Sequence, residues 1–409
     1  MTKKNVDYKL FFAALALIIF WMIMISSVSV FSSFRVTSGQ VANGYITEAY
    51  NHFYVIRNIA HVVIWLSMVA IFSKIRYNFF EKFANYFFGL AIWLLFVVLV
   101  LWSVFWWAKW WIDIPWLPFL IQPTEFMKLA LIVMLASVFK KYKWYLKSLE
   151  YGYLPYIWII WLIVLLVWLQ PDFWTILVVV PVSAIMFYVA WWNIKHLWLT
   201  AILGFLLIFT VYFTWDYDKE TGRTTKWLGY ITQRLDTFLW DNEDLFTKAA
   251  YKDERKDQIR QALITIWSWG FTGLGFGQSI QKYWYLPEVQ GDFIFSVIIE
   301  ELGFLWGLTL MLIYMYIWYR ALYISRHSPD LFWKYFALWF ASRILFQAFV
   351  NIWVNLNIMP LTGITLPLVS YWWSSLMSIL MWLWILLNIS RFIEDKPKYS
   401  RLSRKKLMF

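Results

Sequence analysis

Residues 154–190 read LPYIWIIWLIVLLVWLQPDFWTILVVVPVSAIMFYVA, two apolar runs that are separated only by Gln170, Pro171 and Asp172. Each run approaches the roughly 20 residues that an α-helix needs to cross a bilayer. Because the backbone polar groups of a membrane-embedded segment must bond to one another, such runs predict helices. The stretch therefore predicts two membrane-spanning helices that are joined by a tight hairpin.

The rest of the chain repeats this pattern. Of its 409 residues, 62% are hydrophobic and 15% are charged. The apolar runs predict ten spans, near residues 9–30, 53–73, 87–106, 123–139, 154–170, 173–190, 197–213, 292–319, 334–356 and 368–390. We therefore predict an all-α polytopic membrane protein that forms a single domain over residues 1–409.

The distribution of basic residues predicts the orientation of the chain. Lys and Arg concentrate in alternate short segments and in the basic tail at 391–409, and such segments face the cytoplasm. Both termini are therefore expected inside the cell, with one long outer loop at 214–291. The net charge of +12 is attributed to the basic cytoplasmic segments that set the topology and to their contact with anionic lipids, and not to nucleic-acid binding. The chain has no cysteine, which excludes disulfides and thiol chemistry.

Tryptophan is unusually frequent and unusually placed. The chain has 32 Trp and 15 Gly, whereas Gly normally makes up about 7% of a protein. Pairs such as Trp372-Trp373 stand beside Ser in segments where turn chemistry favours Gly. One hypothesis is that many of these Trp codons are UGA codons, which the source organism reads as glycine. The alternative is a genuine aromatic belt at the membrane interfaces, which fits isolated Trp better than pairs.

Several ionisable residues lie within or at the ends of predicted spans, where they are costly and usually functional. Glu125 and Lys128 are three residues apart and therefore share one helix face, which predicts an ion pair with either a functional or a fastening role. Asp172 lies at the tight hairpin, where it is either a helix N-cap or a catalytic carboxylate.

Asp292 lies where the long loop enters the eighth predicted span. A carboxylate that is followed at once by apolar residues is partly desolvated, which raises its pKa and suits a general base. A helix N-cap is the alternative. Glu300 and Glu301 lie deeper in the same span and need a partner, for which Arg343 is a candidate in a structural role.

The segment before Asp292 is rich in glycine. Residues 267–279 read WSWGFTGLGFGQS, which matches no established nucleotide-binding fingerprint. A flexible loop of this kind can bind phosphate through its backbone N–H groups, and Lys282 would add positive charge. No spacing typical of metal ligands is evident in the sequence.

Several motifs in the right order resemble those of the SEDS family (shape, elongation, division and sporulation), which are ten-span peptidoglycan glycosyltransferases. The resemblance covers nearly the whole chain and is carried by residues 122–126 (QPTEF), 170–173 (QPDF), 281–288 (QKYWYLPE), 292–295 (DFIF) and 360–375 (PLTGITLPLVSYWWSS). The family has Gly at the positions of Trp174, Trp353, Trp372 and Trp373. These departures fit the hypothesis of a UGA codon read as glycine.

The resemblance implies that the protein polymerises lipid II, the undecaprenyl-pyrophosphate-linked disaccharide-peptide, on the outer face of the membrane. It implies that Asp292 is the catalytic carboxylate and removes a proton from the attacking sugar hydroxyl. Residues expected to bind substrate or to support the site are Glu125, Lys128, Lys109, Asp172, Gln281, Lys282, Ser370 and Ser374.

The resemblance also implies a class B penicillin-binding protein as the transpeptidase partner, other cell-division proteins as neighbours, and the bacterial plasma membrane as the location. A divalent cation, Mg²⁺ or Mn²⁺, could assist the pyrophosphate, although no residues specify its site. The segment around Gln281 and the Ser374-Ser375 pair favour the division branch of the family over its elongation branch. A lipid II transporter and a scaffold without chemistry of its own are the alternative functions.

Overall fold

A computed structural model of the chain describes residues 6–72, 79–104, 122–146, 148–170, 172–191, 254–267, 270–283 and 285–393, together with isolated positions between 195 and 238. Within these residues the regular structure is helical throughout, which confirms the predicted all-α class. Most of the predicted seventh span, most of the long loop, Lys109 and the tail after residue 393 lie outside the described residues.

Thirteen α-helices are described. They are α1 (Tyr8–Val28), α2 (Val30–Ala42), α3 (Phe53–Phe72), α4 (Phe79–Lys82), α5 (Ala84–Val104), α6 (Pro123–Lys141), α7 (Leu154–Leu169), α8 (Phe173–Trp191), α9 (Glu254–Trp267), α10 (Ile294–Leu302), α11 (Phe304–His327), α12 (Leu331–Asn355) and α13 (Trp373–Ser390). A short π-helical turn, Leu149–Tyr153, leads directly into α7.

Five of the described helical segments are long and apolar enough to cross a membrane: α1, the π-turn with α7, α11, α12 and α13. Shorter apolar stretches lie in α3, α5 and α8. These helices fall on predicted spans, so the multi-span architecture is confirmed for this part of the chain. Residues 31–52, between the first two predicted spans, contain most of α2, a helix that was not predicted from the sequence.

The predicted eighth span is wrong as a single helix. Residues 292–319 contain the nine-residue helix α10 and the start of α11, which are separated by Gly303 at φ +82°. A Cβ at Gly303 would press against the carbonyl oxygen of Phe271, so only glycine fits there. The break turns α10 into a separate element that carries Glu300 and Glu301 at its C-terminal end.

Helix α12 is the centre of the described bundle. Its buried side chains extend around the whole helix, from Phe332 to Asn355, as expected for a helix surrounded by others. It packs against α6, α8, α10, α11 and α13. Residues on α12 can therefore reach the segments that precede α10 and α13, where two of the family motifs lie.

Several tryptophans have a buried indole N–H without a hydrogen-bond partner. Within the described residues, this holds for Trp21, Trp174, Trp339, Trp382 and Trp384. A buried Trp N–H usually finds a hydrogen-bond acceptor, and an unsatisfied one is destabilising. The set includes Trp174, where the SEDS family has Gly. This pattern supports the hypothesis that some of these positions are glycine in the natural protein.

We expect the coding DNA to carry UGA at positions 174, 353, 372 and 373. We also expect peptides of the protein from its natural source to have the mass of glycine at these positions. DNA sequencing and peptide mass spectrometry provide the measurement, and genuinely exposed tryptophans such as Trp144 provide a comparison within the same protein. UGG codons at positions 372 and 373 would make the hypothesis wrong.

Candidate active site

The backbone of Asp292 is held by two asparagines of α12. Its carbonyl oxygen accepts hydrogen bonds from Asn351 Nδ2 at 2.8 Å and from Asn355 Nδ2 at 3.0 Å. Both asparagines are almost fully buried and lie four residues apart, on one face of the helix. Neither asparagine was assigned a role from the sequence, although their spacing is a signal for such a paired contact. They fix the position of Asp292 immediately before α10.

The carboxylate of Asp292 is buried in a tight environment. Oδ2 lies 3.3 Å from where a Cβ of Gly363 would be, and the side chain accepts a hydrogen bond from Trp372. Oδ1 has no hydrogen-bond partner among the described residues. The alternative N-cap role is not observed, because Phe293 occupies the N-cap position of α10 and no side chain caps that helix.

Burial raises the pKa of Asp292 to about 7. The nearby Glu288 carboxylate also contributes to this raised pKa, while the Arg234 guanidinium and the Trp372 hydrogen bond lower the pKa and so oppose the shift. A carboxyl group whose pKa lies near neutrality can exchange a proton readily under cellular conditions. Asp292 thus has the pKa of a general base.

Asp292 lines a cavity of about 310 Å³. Other polar residues that line it are Gln122, Glu125, Lys128, Asp172, Thr175, Arg234, Gln347, Thr362, Thr365 and Ser375. The structure therefore brings three of the predicted supporting residues, Glu125, Lys128 and Asp172, to the same cavity as the predicted catalytic carboxylate. Arg234 comes from the long loop, and the sequence analysis did not identify it.

The predicted ion pair between Glu125 and Lys128 is confirmed, with Oε1 and Nζ 2.7 Å apart. The other oxygen of Glu125 accepts hydrogen bonds from Arg343 Nη2 and from Ser378 Oγ, both at 2.9 Å. All of these side chains are buried. This network joins α6, α12 and α13 on one side of the cavity.

Asp172 is an N-cap, as one of the two interpretations predicted. Its Oδ1 accepts from the backbone N–H of Thr175 at 3.1 Å, and its Oδ2 accepts from Thr175 Oγ1 at 2.7 Å. These bonds begin α8 at the hairpin. Because Asp172 also lines the cavity, the cap places a carboxylate in the same cavity as Asp292.

Glu300 and Glu301 bind the glycine-rich loop instead of Arg343, so the predicted partner was wrong. Glu301 accepts from Ser27 Oγ at 2.6 Å, from Lys282 Nζ at 3.0 Å and from the Gly277 N–H at 3.1 Å. Glu300 accepts from the backbone N–H groups of Ile280 at 3.0 Å and Gln281 at 3.4 Å. The Gly277 N–H of the glycine-rich loop therefore binds a carboxylate, and phosphate binding by this loop stays a prediction.

The same network uses two predicted substrate-binding residues. The ammonium of Lys282 contacts Ser27, the Gly277 carbonyl and Glu301, and the residue is only 3% exposed. The backbone of Gln281 is bound to Glu300. Both residues therefore hold the loop against α10, and any contact with substrate stays a prediction.

The two predicted serines lie in the segment before α13 and at its start. Ser370 Oγ donates to the carbonyl of Gly291 at 2.7 Å and accepts from the Leu366 N–H at 2.7 Å. The bond from Ser370 to Gly291 connects the segment that precedes α13 to the residue before Asp292. Ser374 is buried, and its Oγ has no hydrogen-bond partner among the described residues.

The described residues contain no group of three His, Cys, Asp or Glu side chains that could hold a metal ion. Two carboxylates of the cavity are instead bound to other side chains, Glu125 to Lys128 and Arg343, and Asp172 to Thr175. These contacts do not fit a divalent cation that is coordinated by protein side chains alone. We therefore derive no step through a metal.

The chain matches a family of known proteins over nearly its full length. Its residues 8–395 match the FtsW, RodA and SpoVE family of cell cycle proteins. The stage V sporulation protein E of Bacillus subtilis is 35% identical over 274 residues, which are 67% of this chain and 69% of that protein. The probable peptidoglycan glycosyltransferase FtsW of Idiomarina loihiensis is 30% identical over 389 residues, 94% of this chain and 86% of that protein.

Solved structures share the fold. RodA of Thermus thermophilus has a TM-score of 0.60 at 22% identity and covers 96% of this chain and 98% of its own. A chain of a peptidoglycan synthase complex that coordinates polymerization and crosslinking has a TM-score of 0.69 at 22% identity, with 96% and 99% coverage. The chain therefore belongs to the FtsW, RodA and SpoVE family, the SEDS family that its motifs resemble.

Proposed function

We propose that this protein is a peptidoglycan glycosyltransferase that polymerises lipid II, with Asp292 as the general base. The observation that carries the proposal is the Asp292 carboxylate. It is buried, has a pKa near 7, and has one oxygen without a hydrogen-bond partner among the described residues. The names of the relatives, several of which are probable peptidoglycan glycosyltransferases, support the reaction class.

In the proposed reaction, Asp292 takes the proton of the acceptor sugar's 4-hydroxyl. The hydroxyl oxygen attacks the anomeric carbon of the donor sugar, and a new glycosidic C–O bond forms. The bond between that carbon and the pyrophosphate oxygen breaks, and the lipid pyrophosphate leaves with the electron pair. Attack from the side opposite the leaving group inverts the configuration of the anomeric carbon.

The leaving pyrophosphate is strongly negative, and the cavity provides cationic groups for it. Lys128 and Arg234 both line the cavity beside Asp292. Charge-assisted hydrogen bonds from such groups stabilise a developing phosphate charge. Arg234 is positioned by its bond to the Leu361 carbonyl at 2.5 Å. A divalent cation bound by the pyrophosphate itself would also stabilise this negative charge.

The proposal predicts an acid limb in the pH dependence of polymerisation. A base must be ionised, so the rate should fall about tenfold per pH unit below the Asp292 pKa of about 7. The Glu288 charge raises that pKa, so Glu288→Gln should move the midpoint to lower pH. The measurement is the initial rate of lipid II polymerisation from pH 5 to 8.5 for both chains.

Glu150→Gln is the matched control, because Glu150 lies in the π-turn before α7 and does not line the cavity. Its pH profile should coincide with that of the unmodified protein. A flat profile between pH 5 and 8, or an unchanged midpoint in Glu288→Gln, would contradict the role of Asp292.

We further propose a division role, a class B penicillin-binding protein as partner, and a plasma-membrane location with both termini in the cytoplasm. The division role is supported by 34% identity to the FtsW of Bacillus subtilis over 290 residues, and the partner by the fold shared with a chain of a peptidoglycan synthase complex. The stage V sporulation protein E of Bacillus subtilis is about as similar to this chain, so sequence identity does not separate the two roles. The test is therefore genetic. Rescue of a strain depleted of FtsW, but not of strains lacking RodA or SpoVE, is expected, and the reverse pattern would overturn the division role.

A further inference from the structure

The glycine-rich loop presents large apolar side chains on the surface of the protein. Phe271 is 70% exposed, Phe276 is 49% exposed, and Ile280, which follows the loop directly, is 52% exposed. These three side chains form the loop patch. The sequence from residue 261 to residue 281 contains no charged side chain, although the long loop around it has mixed charge. An exposed apolar surface of this kind marks an interaction site, and the proposed polymerisation assigns no role to it.

The loop patch continues onto α11, a helix that is long and apolar enough to cross a membrane. The rings of Phe271 and Phe304 pack edge to face with their centroids 6.1 Å apart. The Phe304 N–H donates to the carbonyl of Gly270 at 3.2 Å, so the loop lies beside the first turn of α11. Further along this helix, Leu308 and Leu312 are also exposed. The loop patch therefore adjoins an apolar helix surface that faces lipid.

The buried network behind the loop places it level with one boundary of the membrane. Glu301 accepts hydrogen bonds from Ser27, at the end of α1, and from the Gly277 N–H of the loop. At the other end of α1, Asp7 binds Arg320. Asp7 and Ser27 are separated by roughly 20 residues of helix and therefore by about 30 Å, which is the thickness of the hydrocarbon core. The loop lies at the boundary remote from Asp7, the outer one in the proposed orientation.

The backbone of the loop is already hydrogen-bonded to α10 at many positions. The N–H groups of Leu274 and Gly275 donate to backbone carbonyls of α10 at 2.9 and 2.8 Å. The N–H groups of residue 277 and of residues 279–281 donate to the two carboxylates of the same helix. Unpaired backbone groups are what keeps irregular segments out of lipid. The pairing with α10 removes much of this cost.

We propose that the loop patch is inserted into the outer leaflet, at the boundary between the phospholipid headgroups and the acyl chains. Interfacial helices bury their apolar faces to a depth of about 5–10 Å in this region. Phospholipid is the occupant that fits the surface, because the loop patch is uncharged, lies level with the boundary and adjoins the lipid-facing side of α11. The inference does not depend on the proposed polymerisation.

The absence of cysteine from the chain makes the insertion directly measurable. Phe276→Cys and Ile280→Cys each place a single thiol in the loop patch for a nitroxide spin label. Leu312→Cys is the reference for lipid, and Glu48→Cys, at an exposed charged position between α2 and α3, is the reference for water. Power-saturation EPR in nanodiscs of phosphatidylethanolamine and phosphatidylglycerol, with no other protein present, measures collisions of each label with oxygen and with a water-soluble nickel chelate.

Oxygen concentrates in the acyl chains, whereas the nickel chelate stays in water. We expect the ratio of oxygen to nickel collisions at positions 276 and 280 to lie several-fold above the ratio at position 48 and to approach that at position 312. Ratios equal to that at position 48 would overturn the insertion. Labels that are open to the nickel chelate and become shielded only when the purified class B penicillin-binding protein is added would also overturn it, because the loop patch would then be a protein docking surface.

Discussion

Glu125→Ala should lower the free energy of unfolding by about 3–5 kcal/mol, the usual effect of removing one partner from a buried charge network. Glu125 accepts hydrogen bonds from Lys128, Arg343 and Ser378, and both cationic partners are almost completely buried. Without this carboxylate, the positive charges of Lys128 and Arg343 would remain in the interior, and each would lose its bond to Glu125. Thermal and chemical unfolding of the purified protein in detergent measure the loss.

Lys140→Ala is the matched control. Lys140 also has two acidic partners, Glu81 and Asp330, each 2.6 Å from its ammonium nitrogen. Its side chain is one-third exposed, and ion pairs accessible to water contribute about 1 kcal/mol or less. Equal destabilisation by the two substitutions would contradict the account of the Glu125 network.

The short motifs of the chain predicted those parts of the site that depend on local sequence. The Glu125–Lys128 pair follows from a spacing of three residues in one helix, and the Asp172 cap follows from its position at a hairpin. Asp292 stood out because a carboxylate precedes an apolar run. In each case, the interaction partners or the solvent environment could be inferred within a few residues.

The partners that come from distant parts of the chain were not predictable in this way. Arg343 lies 218 residues from Glu125, and Asn351 lies 59 residues from Asp292. One sequence without an alignment contains no signal that pairs such positions. Arg343 was therefore predicted to be the partner of Glu300 and Glu301. In the structure, those carboxylates instead accept hydrogen bonds from backbone N–H groups of residues 277–281.

The apolar composition also did not reveal the interruption between helices α10 and α11. Residues 292–319 are almost uniformly apolar, so their composition predicts one span, yet the chain turns at Gly303 with a positive φ. The turn brings Glu300 and Glu301 to the amides of residues 277–281. Satisfaction of buried backbone groups explains this arrangement, and it depends on contacts that apolar periodicity does not report.

Asp292→Asn should reduce the rate of lipid II polymerisation by about 10²–10⁴-fold, the range associated with loss of a general base. Asn has nearly the same shape and retains the hydrogen bonds of the backbone to Asn351 and Asn355. It cannot accept the proton of the acceptor hydroxyl. The loss should therefore appear in the rate and not in stability or in substrate binding.

Asp330→Asn controls for the removal of a carboxylate, because Asp330 pairs with Lys140 and does not line the cavity that contains Asp292. Its polymerisation rate should equal that of the unmodified protein.

The most direct test is the initial rate of polymerisation of purified lipid II, measured side by side for the unmodified, Asp292→Asn and Asp330→Asn chains with the transpeptidase partner present. The same comparison in the Trp372→Gly background tests the residue that the UGA hypothesis predicts at this position. We predict that only Asp292→Asn loses activity while it remains folded and binds lipid II. Normal glycan synthesis by folded Asp292→Asn would contradict the assignment of Asp292 as the general base.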